Sequence, residues 1–338
     1  MSERDARHRR ILMLGLALTT LLLLAAGLAA GSEGWSLTRL SRTWNSADGL
    51  LIIGDIRAPR TLGAWLTGAL LGLAGAVAQG LFRNPLADPY LLGSASGASL
   101  GVVLVLAASM LGGQAVSLAT AGVLARVGLV GAAFSGALLG VLLTLTLARD
   151  AQQTTRLLLA GVVVGVVLAA VSDLVTTAAP DALRGKQAFM LGSTGYLGWA
   201  SCALLAAGLA VTLPPCWGLA RGLDALTLGD DTAQSLGLPL ERVRIALVAM
   251  IALATGVAVS QAGLIAFVGL VAPHLVRRFA PSTHGFSLLA SAAAGGTLLL
   301  MADVLARTLV APEEVPVGVL TALLGGSYLI WLLRRSRA

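Results

Sequence analysis

Few residues in this 338-residue chain are of types and spacings that could break or make a bond. The histidines, His8, His274 and His284, lack the spacing of a zinc pair. Cys202 and Cys216 show neither metal-ligand spacing nor a disulfide framework, and they read as packing residues. A phosphate-binding loop needs G-x-x-x-x-G-K-[ST]. The nearest fragment, Gly185-Lys186, is followed by Gln187 and lacks the upstream glycine, so no ATP is hydrolysed here by such a loop. Gly93 to Gly97 reads G-S-A-S-G, where a nucleophile elbow needs serine at the third place. A proton relay needs several ionisable groups within reach of one another. The apolar runs hold only Asp173, His274 and Asp303, which read as satisfied residues near helix ends.

What must be positioned is therefore arginine and rigid backbone, and the elements available to position them are apolar. Hydrophobic residues make up 57% of the chain and charged ones 12%, against about 25% in an ordinary soluble domain. The mean hydropathy is +0.88. Runs near 20 apolar residues recur from end to end, each able to cross about 30 Å of hydrocarbon. Lipid offers no hydrogen bonds, so the runs are expected to be helices of an all-α polytopic membrane protein. The net charge of +7 then reflects arginines flanking membrane segments and not a nucleic-acid surface.

Ten spans are expected: Ile11 to Ala30, Thr61 to Phe82, Leu91 to Leu111, Val127 to Ala148, Leu157 to Ala178, Leu197 to Leu213, Val243 to Ser260, Gly263 to Val276, Phe286 to Ala306 and Val317 to Leu333. The first follows MSERDARHRR and is twice the length of a signal-peptide core, so it reads as an uncleaved helix. With even parity, the face carrying both termini holds 15 of the 23 basic residues and the opposite face 8, which makes both termini cytoplasmic. Gly68 and Gly72, and Gly161 and Gly165, sit four apart, a spacing that lets helix backbones approach in lipid.

Two polar stretches interrupt the apolar pattern on the cytoplasmic side. The loop from Pro214 to Arg242 contains GLDALTLGDDTAQSLGLPLERVR. Asp230 or Asp231 is a plausible N-cap for a short helix over Thr232 to Leu236, with Gly237 as its C′ residue, and Leu223 to Leu228 could form another turn. Such a pair of short helices suits either a docking surface or a loop lying on lipid headgroups. The stretch RNPLADPYLLGSASGASLG, Arg83 to Gly101, is stiffened by Asn84-Pro85 and Asp88-Pro89, because proline fixes φ and restricts the residue before it.

RNPLADPYLLGSASGASLG closely resembles the motif of permease subunits of type II ABC importers, the FecCD-type iron-chelate and vitamin B12 uptake family. Further matches follow in the same order: IRAPR (Ile56 to Arg60), TTRLLLAGV (Thr154 to Val162), LGLPLERVR (Leu236 to Arg244), GLIAFVGLVAPHLVRR (Gly263 to Arg278) and EVPVGVLTALLGG (Glu314 to Gly326). Together they cover nearly the whole chain.

The resemblance implies a single transmembrane permease domain over residues 1–338, with ten helices. Residues 61–178 and 243–333 would form an inverted repeat around a cytoplasmic coupling loop at 214–242. It implies a homodimer in the inner membrane, two copies of an ABC ATPase subunit, and a periplasmic or lipid-anchored substrate-binding protein. ATP and magnesium would sit on the ATPase and no cofactor on this chain. The pathway would run along the dimer axis, near the fifth span and Phe189 to Gly195. Roles carried over to matching positions are docking of the binding protein for Arg57, Arg60 and Arg307, and a cytoplasmic gate for Asn84, Leu86, Thr154 and Thr155. ATPase coupling falls to Leu223, Leu228, Asp230, Asp231, Ser235, Leu236, Gly237 and Leu238. The cargo would be a large chelate, an iron complex (siderophore or haem) ahead of cobalamin on family frequency alone. The competing class is a self-sufficient secondary transporter, against which the missing relay and the docking-type loop speak; a membrane enzyme stands further off.

Overall fold

The computed structural model describes residues 3–31, 47–111, 123–148 and 154–335. Helices carry almost all of them. In chain order these are α1 (Glu3–Ala29), α2 (Ala47–Leu51), which continues through a π-helical stretch (Ile52–Arg57) into α3 (Ala58–Leu81), then a 3-10 turn (Pro89–Leu92), α4 (Ser94–Leu111), α5 (Val123–Leu147) and α6 (Thr154–Ala178). There follow α7 (Ala182–Leu191), α8 (Trp199–Gly218), α9 (Ala220–Leu226), α10 (Asp230–Ser235), α11 (Leu240–Ala262), α12 (Val268–Phe279), α13 (His284–Thr308) and α14 (Val317–Arg335). Among the described residues seven helical segments are long and apolar enough to cross a membrane, α4 and α14 are shorter apolar helices, and α12 is shorter still. Each of the ten expected spans has its helix.

Most helix limits differ somewhat from the expected spans, and three differences have a local cause. The sixth span does not end before Pro214; α8 runs through Pro214 and Pro215 to Gly218, since two missing N–H groups are tolerated inside a helix that keeps its other bonds. The third span starts three residues late, because Pro89 to Leu92 form a 3-10 turn and Gly93 sits at φ 80°. The eighth does not begin as a helix at Gly263. Gly263 (φ 70°) and Phe267 (φ 68°) are both left-handed, and helix begins only at Val268.

The bundle is organised about α3 and α13, which are enclosed by protein along most of their length. They cross with backbone against backbone: a methyl group at Gly68 would strike the Gly295 carbonyl oxygen, and one at Gly72 the Ser291 carbonyl oxygen. The same device joins α4 to α5, where Gly97 faces the Gly136 carbonyl and Gly101 the Ala132 carbonyl. Helix pairs correspond when the two halves are exchanged: α3 packs on α13 as α11 packs on α5, α4 on α5 as α12 on α13, and α3 on α12 as α11 on α4.

The irregular backbone ahead of α4 and ahead of α12 meets inside the bundle. Tyr90 donates its hydroxyl to the Ile265 carbonyl at 3.2 Å, and the Pro89 ring packs at Gly269. Unwound backbone at membrane depth persists only where protein satisfies it. Here Leu264 N–H donates to the Phe189 carbonyl (3.0 Å) and Ser193 N–H to the Ala262 carbonyl (2.8 Å). Gln79 Nε2 donates to the Leu270 carbonyl (3.1 Å), and Gln79 in turn accepts from Arg277.

Candidate functional site

Charge gathers at the two opposite ends of the α3–α13 pair. At one end Asp303, fully buried on α13, binds three groups. Arg60 Nε donates to its Oδ1 at 3.1 Å, Thr194 Oγ1 donates to the same oxygen at 2.6 Å, and Arg307, one turn further along α13, pairs with Oδ2. Arg60 also donates to Glu314 at 2.8 Å, where the acid is 37% exposed. Arg307 is 2% exposed and donates besides to the Gly27 carbonyl at 3.1 Å. Arg57 is half-buried and donates to the Leu28 carbonyl (3.0 Å) and the Ala29 carbonyl (3.3 Å) at the end of α1. The structure thus brings Arg57, Arg60 and Arg307 to one end of the bundle but gives them different surroundings. Arg307 faces inward, held by an acid four residues earlier, and cannot reach a partner's carboxylate from there; Arg60 is mostly covered. A guanidinium this deep needs its own counter-ion. The i, i+4 spacing of Asp303 and Arg307 is visible in the sequence, whereas Arg60 and Thr194 join from distant segments and Glu314 from the loop after α13.

At the other end the loop between α8 and α11 folds into α9 and α10. Leu223 and Leu226 are buried against the bundle. Leu223, expected on a docking face, is therefore an anchor of the loop, because it fills the space beside Gly80 of α3. Leu228 and Leu236 are exposed, with Asp231, Ser235 and Gly237 exposed around them. Neither Asp230 nor Asp231 is the N-cap. That place is taken by Gly229 (φ 102°), and Asp230 begins the helix. Its carboxylate bonds instead to Arg244 Nη2 at 2.7 Å and lies 3.4 Å from Arg83 Nη2. The C-terminus of α10 follows expectation: Gly237 is left-handed (φ 82°), its N–H donates to the Gln234 carbonyl (2.8 Å), and Leu238 N–H donates to the Ala233 carbonyl (3.1 Å).

The proline-rich turn is joined to this loop through Arg83. Arg83 itself is left-handed (φ 49°) and ends α3 as a C′ residue, with Asn84 N–H donating to the Gln79 carbonyl at 3.2 Å. Asn84 Oδ1 accepts from Leu86 N–H (2.9 Å), and Asp88 Oδ1 accepts from Tyr90 N–H (2.8 Å). Burial raises the Asp88 pKa, opposed by that hydrogen bond. Asn84 and Leu86 are exposed, as is Thr155 on the first turn of α6. Thr154 opens α6, and its side chain lies outside the described residues. Gly161 of α6 abuts the Leu91 carbonyl, so the turn and α6 are in contact. Phe189, near the expected pathway, is buried in the core. Asp173 pairs with Lys186, and His274 stacks edge-on to Tyr328 at 5.8 Å. With Asp303 fully paired, these three ionisable groups lie in separate settings.

Broken helices at the third and eighth positions, glycine-tight crossings and a two-helix loop sealed onto one end define a multi-pass membrane permease. The chain belongs to the FecCD transport family, whose model matches residues 16–335. It is 40% identical over 343 residues to the hemin transport system permease protein HmuU of Yersinia pestis, covering 98% of each chain. It is 41% identical over 340 residues to the vitamin B12 import system permease protein BtuC of Klebsiella pneumoniae, covering 100% of this chain and 97% of that one. Among solved structures it superposes with a TM-score of 0.81 on a metal-chelate type ABC transporter in an inward-facing conformation, at 24% identity, covering 96% of this chain and 99% of that chain. That likeness is one of fold. The family places the chain among transport proteins and not among enzymes.

Proposed function

We propose that this chain is the membrane-spanning subunit of an ATP-driven importer for a large metal chelate, and that the cargo is an iron complex, a ferric siderophore or haem. Relatives named for haem and for vitamin B12 are equally similar, so cobalamin is the competing cargo. In this reading two copies pair in the bacterial inner membrane with both termini cytoplasmic, and residues 61–178 and 243–333 act as inverted repeats. Two ABC ATPase subunits, which hold the ATP and magnesium, grip the loop at 214–242, while a periplasmic or lipid-anchored binding protein delivers cargo at the opposite face. No cofactor is assigned to this chain.

The observation that carries the reading is the Arg83–Asp230–Arg244 cluster. One carboxylate ties the short helix α10 to the turn after α3 and to the second turn of α11. A loop that only rested on lipid would not need to be fastened to two membrane helices. The exposed Leu228, Asp231, Ser235, Leu236 and Gly237 form the face offered to the ATPase, with Asp230 and Leu238 behind them and Leu223 anchoring the loop. Asn84, Leu86, Thr154 and Thr155 form the cytoplasmic gate. Arg57 and the Arg60–Glu314 pair form the docking rim, steadied from inside by Arg307 and Asp303; rim charges steer encounter and fix orientation.

The test is a mild-detergent pull-down of the tagged chain from its native membranes, with partners identified by mass spectrometry. Recovery of a P-loop ATPase and a binding protein is expected, and titration of that binding protein with haem, ferric siderophores and cyanocobalamin names the cargo. Recovery of the chain without an ATPase, together with uptake driven by an ion gradient alone, would overturn the reading in favour of a secondary transporter.

A further inference from the structure

The loop end of the bundle contains a second polar contact between elements. Asp224, on α9, directs one oxygen at the start of α13. Its Oδ1 accepts from the His284 backbone N–H at 3.0 Å and lies 2.7 Å from His284 Nδ1. The N-cap residue of α13, Thr283, makes no side-chain cap bond of its own. The first N–H groups of a helix have no intrahelical acceptor, and the positive end of the helix dipole lies there. The cap of α13 is thus provided by the cytoplasmic loop across 60 residues of sequence. Gly80, in the last turn of α3, completes the joint: a methyl group there would lie 2.8 Å from His284 Nε2 and 3.1 Å from Leu223 Cδ2. So α9, α13 and α3 meet in one place, with no room between them.

From this joint α13 runs about 29 Å to Asp303 and about 35 Å to Arg307. There it is bonded to Arg60, near the beginning of α3. Between the two ends, the glycine crossings at Gly68, Gly72 and Gly295 leave no space in which one helix can slide past the other. The two helices are therefore bonded to each other at the Asp303 end, closely packed at the Gly80 end and interlocked between.

We infer that Asp224 and His284 are positioning residues of the transport cycle: through them displacement of the cytoplasmic loop moves α13 and α3 as one body and so reaches the arginine rim on the far face. This rests on the importer reading above. His284 faces Asp224 from α9, and Arg9 of α1 lies over the Phe286 ring in the same turn of α13.

The test uses the complete transporter, the chain with its own ATPase and binding protein, in proteoliposomes. Two quantities are read: basal ATP hydrolysis, and its stimulation by binding protein added at the opposite face. In the native complex the binding protein is expected to raise hydrolysis. Asp224→Ala is expected to leave assembly and basal hydrolysis intact while stimulation falls about tenfold, a coupling of ~1.4 kcal/mol. Asp224→Asn keeps an oxygen for the His284 N–H and is expected to recover part of the stimulation. A merely structural role would lower basal hydrolysis and assembly together and leave their ratio to stimulation unchanged. If Asp224→Ala fails to assemble, His284→Ala, which leaves the carboxylate and the backbone bond in place, gives the same reading. Full stimulation in Asp224→Ala, or in His284→Ala where Asp224→Ala does not assemble, would overturn the inference. A native complex that binds no ATPase would instead overturn the importer reading itself.

Discussion

Asp303 holds two guanidinium groups and a threonine hydroxyl in a place water does not reach. Removing one partner of a buried ion pair leaves the others uncompensated, which costs about 3–5 kcal/mol. Asp303→Ala is accordingly expected to lower the melting temperature in detergent sharply and to reduce the amount of protein in the membrane. Arg60→Glu should do the same, because it would set a third acid beside Asp303 and Glu314. Arg57→Glu is the better probe of docking: Arg57 bonds only backbone carbonyls of α1 among its recorded partners. It is expected to weaken binding-protein affinity at low salt, measured by surface plasmon resonance, and to leave ATPase assembly intact; unchanged affinity would reject its docking role. At this scale the sequence was half legible. Three arginines could be assigned to one face from their place between spans. That Arg307 is turned inward could have been read from the Asp303 spacing, but Arg60 and Thr194 come from 243 and 109 residues away, and no local pattern encodes such a meeting.

Helices were legible because lipid permits so few alternatives. Apolar runs of 20 residues must satisfy their own backbones, and the ten spans follow. Which glycines matter was not legible, since the 41 glycines look alike in sequence. The structure separates them. Gly72 touches the Ser291 carbonyl, whereas Gly15 has nothing within 4 Å of where a methyl would stand. Gly72→Leu is expected to destabilise by about 1–3 kcal/mol or more through overpacking, while Gly15→Ala is expected to be silent; thermal unfolding in detergent of the two side by side checks this. The interruptions before α4 and α12 were partly legible. Pro85 and Pro89 announced the first, but the second depends on left-handed backbone at Phe267, a residue type that gives no warning of it.

For the whole molecule, exposure marks two kinds of outward surface. α1 turns leucine outward and α6 leucine and valine, and composition alone is the same for a lipid face and for one lining a pathway between two copies. Val166, on α6, is exposed. The proposed reading sets α6 beside the pathway, so Val166→Cys is expected to react with a membrane-impermeant maleimide in the assembled transporter, and the rate is expected to change when ATP is trapped. Leu18→Cys, exposed on α1, serves as the comparison and is expected to stay unreactive; equal inertness of both would place α6 against lipid. Native Cys202 and Cys216 are buried and interfere little.

The meeting of Tyr90 with Ile265 has an electrical consequence. Where two unwound segments face each other, the seal between the compartments includes a hydroxyl-to-carbonyl contact and the Pro89–Gly269 packing around it. Tyr90→Ala should therefore reveal itself as a small standing ion conductance in a planar bilayer, in a membrane that the native chain keeps sealed.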